Sequence, residues 1–372
     1  MSTPTEEIIA ALRLINTPKV GAVTFYRLVQ EYGSAQNAVE ALEKQSKNKP
    51  WSIEKALKEL SDTRSLGADI LLYDNENYPQ ALRSVDWAPP VLYVKGNLQA
   101  LNSTKTLAIV GSRAASINGR KTAARIARDL TENGVCVVSG MARGIDTSAH
   151  KGALFANNDT GTTIAVLGTG IDVIYPSENV DVYNQIVTNG CVISDVPLGT
   201  KASTMQFPRR NRIVAALSEG VLVVEAGLKS GSLITAQYAS EMQKILFAVP
   251  GTPGESRAQG ANYLIKEGAV LVETAEDILP FLKGNKNIPI RQITTAQQKS
   301  LVFENNDVNF SEREVEKGSL IDFLTIDGVY VDELIRLTGK SAAIIAMEIL
   351  ELEMNGIVER RAGNKIALID QN

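Results

Sequence analysis

The pattern of apolar positions divides the chain into three regions. Residues 6–62 carry apolar side chains at helical spacing, first through Ile8–Ile15 and again through Phe25–Val29. From residue 71 to 282 the pattern changes to short runs rich in β-branched residues, separated by stretches at helical spacing. After a polar segment, apolar periodicity returns at Leu320. The pattern therefore predicts three structured regions, the last of them reached through a linker.

The first region reads as a helical domain over residues 1–70. Its two leading helices are separated by the turn Thr17–Gly21, which contains a proline and ends in glycine. This arrangement is similar to a helix–hairpin–helix turn, in which backbone amides at a helix start can meet a phosphate. A plain corner between two packed helices explains the same residues, and the pattern alone leaves both interpretations open.

In the middle region, strand-length apolar runs end in small or polar residues. The runs are Leu107–Val110, Val135–Val138, Thr163–Leu167, Gly220–Glu225 and Ile245–Val249. Helical stretches such as Gly119–Asn133 and Leu233–Gln243 lie between them. Apolar strands alternating with helices predict an α/β domain over 71–283, with a parallel sheet covered on both faces. Because ligands bind such sheets beyond the carboxyl ends of strands, the loops there should converge on one surface.

The last region, 319–372, reads as three short helices followed by a β-hairpin, which is the layout of a winged helix. A polar linker over 284–318 precedes it. Its predicted helices run from Leu320 to about Thr325, over Val331–Thr338 and over Ser341–Asn355, and its strands over Ile357–Arg361 and Lys365–Ile369. The third helix carries three glutamates where a DNA-reading helix needs cations or asparagine. Packing or protein contact is the better interpretation of that helix.

Charge makes one short segment stand out. The chain has a net charge of −4, so it has no general affinity for polyanions. Phe207–Arg212 nevertheless places three arginines beside an aromatic ring, and Lys201 lies just upstream. Cations beside a ring suit a phosphate next to a stacked base. No apolar run is long enough to span a bilayer and residues 1–7 lack a leader pattern, so we expect a cytoplasmic protein without membrane contact.

The residue types present argue against several kinds of chemistry. Cys136 and Cys191 lie in apolar runs without further ligands at metal spacing, so we expect buried thiols and no metal. A single histidine, His150, disfavours hydrolytic triads. The phosphate-loop pattern is absent, and Gly168–Gly170 lacks the third glycine of a dinucleotide fingerprint. No cofactor is therefore expected.

Three strand-end loops are candidates for binding an anion. Arg113 follows a Gly-Ser pair, where backbone amides can also face an anion. In the second loop, Arg143 can meet phosphate or pair with Asp146, which can alternatively cap the next helix. The third loop is 230–232, where Ser232 is the predicted N-cap, and capping alone is a sufficient explanation of it. The later cations Lys121, Arg125 and Arg128 fall near one face of a helix and are best interpreted as a solvated helix face.

Taken in order, these motifs resemble the DNA-processing protein A family (DprA/Smf). The resemblance covers about residues 108 to 252 and is carried by several segments. They are Ala108–Arg113, Val138–Asp146 with Ala149-His150, Ile164–Gly170 with Tyr175-Pro176, Phe207–Arg212, Val224–Ala226 with Ser230–Ser232, and Val249–Gly251. The helical and winged-helix regions on either side fit the three-part layout of that family.

The resemblance implies a Rossmann-like core that binds single-stranded DNA without catalysis, forms homodimers and loads RecA recombinase, in recombination and natural transformation. It also implies that Phe207 stacks a base while Arg113 and the Gly111 and Ser112 amides hold phosphate or base. The residues expected to bind single-stranded DNA are Gly111, Ser112, Arg113, Ser139, Gly140, Arg143, Gly144, Lys201, Phe207, Arg209, Arg210, Asn211, Arg212, Ser230, Gly231 and Ser232.

Two questions stay open at this level. The three arginines of the hexapeptide should be unequal, because Arg-Asn-Arg begins a helix, and one of them is expected to brace the fold with Glu225 as a candidate partner. The alternative function is a Rossmann-like phosphoribohydrolase of the lysine-decarboxylase-like group. That class needs a Pro-Gly-Gly-x-Gly-Thr-type loop, and the chain offers only Ser230–Ser232.

Overall fold

A computed structural model describes residues 4–44, 49–156 and 163–282, together with part of 320–368. The described residues form two compact units, one before and one after residue 301. The predicted linker over 284–318 lies outside the described residues. The domain borders drawn at 70 and 283 stay predictions.

The first unit is an α/β structure in which helices precede and then alternate with strands. Its helices are α1 Pro4–Ile15, α2 Ala22–Tyr32, α3 Ala35–Glu43, α4 Ile53–Ser65, α5 Gln80–Arg83, α6 Ile117–Glu132, α7 Ile145–Phe155, α8 Val180–Asn189, α9 Gln206–Leu217, α10 Gly231–Glu241 and α11 Gln259–Lys266. Its strands are β1 Asp69–Leu72, β2 Val91–Gly96, β3 Thr106–Val110, β4 Cys136–Ser139, β5 Thr163–Leu167, β6 Cys191–Ser194, β7 Gly220–Val223, β8 Ile245–Ala248 and β9 Val270–Leu271.

The nine strands form one sheet in the order β1-β2-β6-β5-β4-β3-β7-β8-β9. The five strands predicted from apolar runs are confirmed as β3, β4, β5, β7 and β8, and all of them are parallel. The predicted parallel core is confirmed, and the sheet is extended at one end by antiparallel pairing, because β2 pairs antiparallel with both β1 and β6. The strand order reverses between β3 and β7, and such a switch point opens a crevice at the strand ends.

The N-terminal helices pack onto one face of this sheet. Leu12 and Leu14 of α1, Phe25 of α2 and Leu60 of α4 share a buried apolar cluster with sheet residues such as Val192. Each of these side chains is at most 7% exposed. The helical periodicity read from the sequence is thus the periodicity of a face that the sheet covers.

The other face of the sheet is covered by α6 and α7. Ile126 and Leu130 of α6 are fully buried against strand residues Leu107 and Ile109. Gly152 on α7 lies so close to the backbone of Ala124 on α6 that a Cβ atom there would overlap it. The two helices therefore run in close contact above the strand ends that carry the predicted loops.

Both cysteines are buried thiols, as predicted. Cys136 lies in β4 and Cys191 in β6, and neither forms a disulfide. Burial raises the pKa of the Cys136 thiol to about 12, so it stays protonated and unreactive at neutral pH. None of the helices in the described parts of the chain is long and apolar enough to cross a bilayer.

The single histidine gives the fold a specific pH dependence. His150 on α7 is fully buried; its Nδ1 lies 2.8 Å from the Thr163 hydroxyl, and its Nε2 has no partner among the described residues. Burial lowers its pKa to about 3, against roughly 6.5 in the unfolded chain. Between these values the unfolded chain binds the extra proton, so stability falls as pH falls from about 6.5 towards 3.

We expect the titration of His150 to lower the free energy of unfolding by about 1.4 kcal/mol for each unit that the pH falls within that window. Urea unfolding of the wild type and of His150→Leu, at several pH values between about 7 and 5, measures it. The slope of that free energy against pH should shrink in the variant, whatever the variant's stability at neutral pH. Equal slopes in the two proteins would show that His150 is not the titrating group.

The second unit contains the described parts of the predicted winged helix. Its elements are β10 Val329–Tyr330, α12 Val331–Thr338, β11 Val358–Arg361 and β12 Lys365–Leu368, with sheet order β10-β12-β11. The predicted second helix and both hairpin strands are confirmed, whereas β10 was not predicted. Most of the first and third predicted helices lies outside the described residues. Leu334, Ile345, Ile349 and Ile366 pack into one small core.

Candidate nucleic-acid interface

The loops that follow β3, β4 and β5 converge with the start of α9, as parallel strand ends should. They enclose a pocket of about 200 Å³. Its lining residues are Arg113, Ala114, Gly140, Ala142, Arg143, Leu167, Gly168, Thr169, Tyr175, Pro176, Phe207 and Arg210. We call it the Phe207 pocket. Five of the sixteen predicted site residues therefore meet in one place: Arg113, Gly140, Arg143, Phe207 and Arg210.

Phe207 forms an aromatic platform in this pocket. Its ring is half-buried in the first turn of α9, and the guanidinium carbon of the exposed Arg113 lies 4.7 Å from its centroid. The ring of Tyr175 lies 5.8 Å away, inclined by 36°. Gly168 forms the floor, because a Cβ there would lie only 3.4 Å from Phe207 Cδ1. A flat group can thus contact a ring while an anion contacts the guanidinium.

Arg143 supplies a second cation at the rim of the pocket. It pairs with Glu178 at 2.9 Å, and both side chains are more than half exposed. The alternative pairing of Arg143 with Asp146 is therefore wrong. Asp146 is buried in the first turn of α7, where its carboxylate accepts hydrogen bonds from the amides of Gly140 and Ala142 at 3.2 and 3.4 Å.

Arg210 is the arginine that braces the fold. It is 4% exposed and its guanidinium donates to the carbonyl oxygens of Gly140 and Val166. Burial lowers its pKa to about 10, partly offset by the nearby Asp146 carboxylate, so it stays charged at neutral pH. Burial likewise raises the pKa of Asp146, and the Arg210 charge opposes that rise. The two opposite charges lie near each other beneath the pocket without a direct ion pair among the described contacts, and each group is hydrogen-bonded to the Gly140 backbone.

Arg210 and Asp146 each bond to the backbone of the loop after β4, which has an unusual conformation. Met141 is buried with a φ of 62°, a left-handed conformation that is uncommon for a residue with a side chain. Its carbonyl accepts a hydrogen bond from Asn179 at 2.8 Å. Gly140 leaves space for Arg210, because a Cβ at position 140 would overlap the guanidinium. The loop geometry therefore depends on Arg210 and Asp146.

Glu225 is not the partner of an arginine, contrary to the sequence-based expectation. Its carboxylate accepts from the amide and the hydroxyl of Ser116 at 2.9 and 2.5 Å, at the start of α6. Its carbonyl accepts from the amide of Ser112 at 2.7 Å. That amide is used inside the fold, so it is not available to an anion as expected. Glu225 thereby ties the end of β7 to the start of α6 and to the loop after β3.

Three further predicted residues have different surroundings. Ser139 is fully buried and donates to the carbonyl of Ile109 at 2.6 Å, so its side chain is not available to a ligand, contrary to expectation. Gly144, with a φ of 76°, lies directly against the backbone of Ser112, and any side chain there would collide with it. Lys201 is exposed in the loop before α9 and does not line the pocket.

The Ser230–Ser232 loop lies at the start of α10 rather than in the pocket. The N-cap is Ser230, not Ser232 as predicted, since the Ser230 hydroxyl accepts from the Ser232 amide and pairs with its hydroxyl at 2.7 Å. Asn211 of α9 donates to the carbonyl of Gly231 at 3.2 Å. These residues tie α9 to α10, which positions the helix that carries Phe207.

Arg209 and Arg212 face away from the Phe207 pocket. They are three positions apart on α9 and share one side of it, whereas Phe207 lies well round the helix from both. Arg209 pairs with the buried Asp195 at 2.9 Å, and the Arg212 guanidinium lies 4.5 Å from the centre of the Trp87 ring. The segment Phe207–Arg212 is thus one cluster in the sequence, but its side chains lie in three places in the fold. Phe207 lines the pocket, Arg210 is buried, and Arg209 and Arg212 lie on another side of α9.

Sequence reasoning missed Tyr175 as a site residue. Its ring is 45% exposed beside Phe207 and precedes Pro176 through a cis peptide bond. The pair Tyr175-Pro176 belongs to the motif set, but it carries no charge or periodicity that marks it as a ligand contact. The only sequence signal for this residue is a tyrosine directly before a proline, a few residues after the Gly168–Gly170 loop.

The fold and the site define the class of protein: a Rossmann-like α/β core with N-terminal helices and a C-terminal winged helix, whose strand ends carry an arginine–aromatic pocket. The family described as DNA recombination-mediator protein A matches residues 69–283. A DprA-like N-terminal HHH domain matches residues 5–61 and a DprA winged helix domain matches residues 311–364. The chain belongs to the DNA recombination-mediator protein A (DprA) family.

Similar proteins come from several bacteria. The chain is 37% identical to protein Smf of Escherichia coli over 297 residues, which is 79% of this chain and 76% of that protein. It is 44% identical to DNA processing protein DprA of Streptococcus pneumoniae over 202 residues, covering 54% and 70% of the two chains.

Two solved structures are similar in fold. The structure of DprA from Streptococcus pneumoniae covers 75% of this chain and 98% of its own, with a TM-score of 0.62 and 33% identity. The structure of DprA from Helicobacter pylori, described for its single-stranded DNA binding mode, covers 58% of this chain and 95% of its own. Its TM-score is 0.52 and its identity 32%. The resemblance inferred from motifs is confirmed.

Proposed function

We propose that this protein binds single-stranded DNA in the Phe207 pocket and acts as a recombination mediator without catalysing a reaction on the strand. The observation that carries the proposal is the Arg113 guanidinium, 4.7 Å from the centre of the Phe207 ring at the converging strand ends. A phosphate on the cation and a base on the ring match the two parts of a nucleotide. The bases of a duplex are stacked on each other and do not offer a face to the ring.

The family relationship supports the same ligand. The DprA of Helicobacter pylori is described as binding single-stranded DNA, and it shares 32% of its aligned residues with this chain. The resemblance further suggests that a homodimer hands the strand to RecA recombinase, in the cytoplasm and during natural transformation. The predicted contacts of Lys201, of Gly111 and Arg113 and of the Ser230–Ser232 loop remain part of the proposal.

The lining of the pocket supports binding rather than catalysis. None of its twelve described lining residues is an aspartate, glutamate or histidine, and the carboxylate at the rim, that of Glu178, is paired with Arg143. A nucleotide phosphoribohydrolase, the alternative, needs a general base beside the sugar. Incubation with AMP should release no adenine above the level of a no-enzyme control, and turnover would favour the enzyme instead.

The function is tested by comparing single- and double-stranded oligonucleotides of one sequence in a mobility-shift titration. We expect tighter binding of the single strand, with an affinity that falls as salt rises, because the cations displace condensed counterions. For single strands, a plot of the logarithm of the binding constant against the logarithm of the salt concentration should have a slope of about −0.7 for each phosphate contacted. Equal affinity for the duplex, or an affinity for single strands that salt does not change, would contradict the proposal.

Glu178 should weaken the binding of single-stranded DNA, because its carboxylate pairs with the Arg143 guanidinium. The ion pair is exposed, and such pairs contribute about 1 kcal/mol or less. We therefore expect Glu178→Gln to raise the affinity for oligo-dT by at most about fivefold, the change that about 1 kcal/mol allows. Glu132→Gln, which removes the same charge from the exposed end of α6, is the matched control. The idea fails if the two variants gain affinity equally.

A further inference from the structure

Arg209 and Arg212 line a second concavity that the Phe207 pocket does not include. It lies between the exposed side of α9 and the start of α2, and its volume is about 510 Å³. Its lining residues are Gly21, Ala22, Val23, Thr24, Trp87, Arg209, Arg212 and Tyr238. We call it the Trp87 groove. It lies within the first unit and combines residues from the N-terminal helices and from the sheet domain.

The groove carries excess positive charge. The charge of Arg209 is balanced by Asp195, whose side chain is 3% exposed. Among the described residues, Arg212 forms no ion pair, and its Nε is buried without a hydrogen-bond partner. Burial also lowers the pKa of Arg212, which shows that the guanidinium is partly removed from water. An anion in the groove would pair with the guanidinium charge, which has no ion-pair partner among the described residues.

The start of α2 adds to this preference for an anion. Gly21 is its N-cap and offers no side-chain hydrogen bond, and the first turn contains no acidic residue. The first amides of a helix have no acceptor within the helix, and they carry the positive end of the helix dipole. The amides of Ala22, Val23 and Thr24 belong to this turn, and these residues line the groove opposite Arg212.

The groove also offers aromatic surface. Trp87 and Tyr238 are both half-buried, and the Trp87 ring is held in place by the Arg212 guanidinium 4.5 Å from its centre. Cations and rings together repeat the chemistry of the Phe207 pocket on the other side of the same helix. A ligand with alternating anionic and flat aromatic parts satisfies both, and single-stranded DNA has this composition.

We propose that the Trp87 groove is a second contact site for the single strand whose first site is the Phe207 pocket, and this inference rests on the proposed function. The strand would leave the pocket, cross the N-terminal turn of α9 and reach Arg212 and the start of α2. A helix with its side chains is about 10–12 Å wide, so the two sites need several nucleotides between them. A short oligonucleotide fills only the pocket, and a longer one fills both.

The test compares oligo-dT of about 3 and about 25 nucleotides, one shorter and one longer than the roughly 4–16 nucleotides of a typical single-strand site. Val23 is 62% exposed at the rim of the groove, and an acid in the first turn of a helix does not oppose folding. Val23→Asp and Arg212→Gln should each weaken binding of the long oligonucleotide by about five- to tenfold and leave the short one unchanged. Val23→Lys should strengthen binding of the long one only.

Two controls separate the possible failures. Lys121→Gln removes one charge from the exposed face of α6 and should change neither length. Arg113→Gln should weaken both lengths. If Arg113→Gln weakens both but the groove variants bind the long oligonucleotide like the wild type, the second site is wrong and the pocket stands. If the groove variants lose the same affinity at both lengths of oligo-dT, the inference is also overturned. If Arg113→Gln has no effect either, the proposed function itself fails.

Discussion

Replacing Arg210 with Met is expected to lower the free energy of unfolding by about 2–6 kcal/mol, because two buried carbonyl oxygens lose their donor at a cost of about 1–3 kcal/mol each. The guanidinium is 4% exposed and satisfies two backbone carbonyls, those of Gly140 and Val166. Without it, both acceptors and the buried Asp146 carboxylate lose their cation. Met fills most of the volume, so the loss reports the charge and hydrogen bonds rather than a cavity. Denaturant unfolding monitored by circular dichroism gives the number.

Two further variants make this prediction specific. Arg120→Met, on the exposed side of α6, should cost less than about 1 kcal/mol, as surface substitutions do. Adding Asp146→Asn to Arg210→Met should recover part of the stability, because it removes a buried negative charge that no longer has the Arg210 charge nearby. If Arg210→Met is as stable as Arg120→Met, the arginine is not a brace and its role must be sought in the pocket.

Phe207→Ala is expected to lower the affinity for oligo-dT by about 5- to 150-fold, the range that follows from 1–3 kcal/mol for one stacked base. Because Arg113 rests on the same ring, the two residues act as a unit. The double variant with Arg113→Gln should therefore lose less than the sum of the two single losses. Fluorescence anisotropy with a labelled oligonucleotide, at one stated salt concentration, measures all three.

Two matched controls test whether the loss of affinity comes from the ring at position 207. One keeps that ring, and the other removes a phenylalanine ring outside the pocket. Phe207→Tyr keeps the platform and should retain most of the affinity. Phe155→Ala removes a phenylalanine that is 77% exposed at the end of α7, outside the pocket lining, and should bind like the wild type. If Phe207→Ala and Phe155→Ala bind alike, base stacking on Phe207 is excluded.

The sheet is largely predictable because its central strands are buried on both faces. Runs such as Thr163–Leu167 are apolar or β-branched throughout, and a short run of this kind is typical of a strand covered on both sides. The direction of β2 is not predictable, because strand orientation is set by the path of the connecting chain and not by the residues of the strand. The N-cap of α10 is misplaced by two residues for a different reason, since Ser230 and Ser232 are equally suited to that position.

The sequence predicts which residue types form the site, but it does not predict which of them are buried in the fold and which face a ligand. Arg209, Arg210 and Arg212 are chemically identical in the sequence, and only the packing of α9 decides which of them is buried. Opposite charge makes Glu225 a natural candidate partner for an arginine, yet Ser116, distant in sequence, offers it two hydrogen bonds at a helix start. Trp87 lies far from any motif, so only the fold brings it to Arg212.

Photo-cross-linking of a single strand that carries 5-iodouracil, with the linked residue identified by mass spectrometry, tests most directly whether the Phe207 pocket holds the strand. Cross-links are expected on Phe207 and Tyr175, whose rings lie together in the pocket. An excess of unlabelled oligo-dT should abolish them. Cross-links that form at the same efficiency elsewhere in the chain, with none on either ring, would contradict the claim that the Phe207 pocket holds the strand.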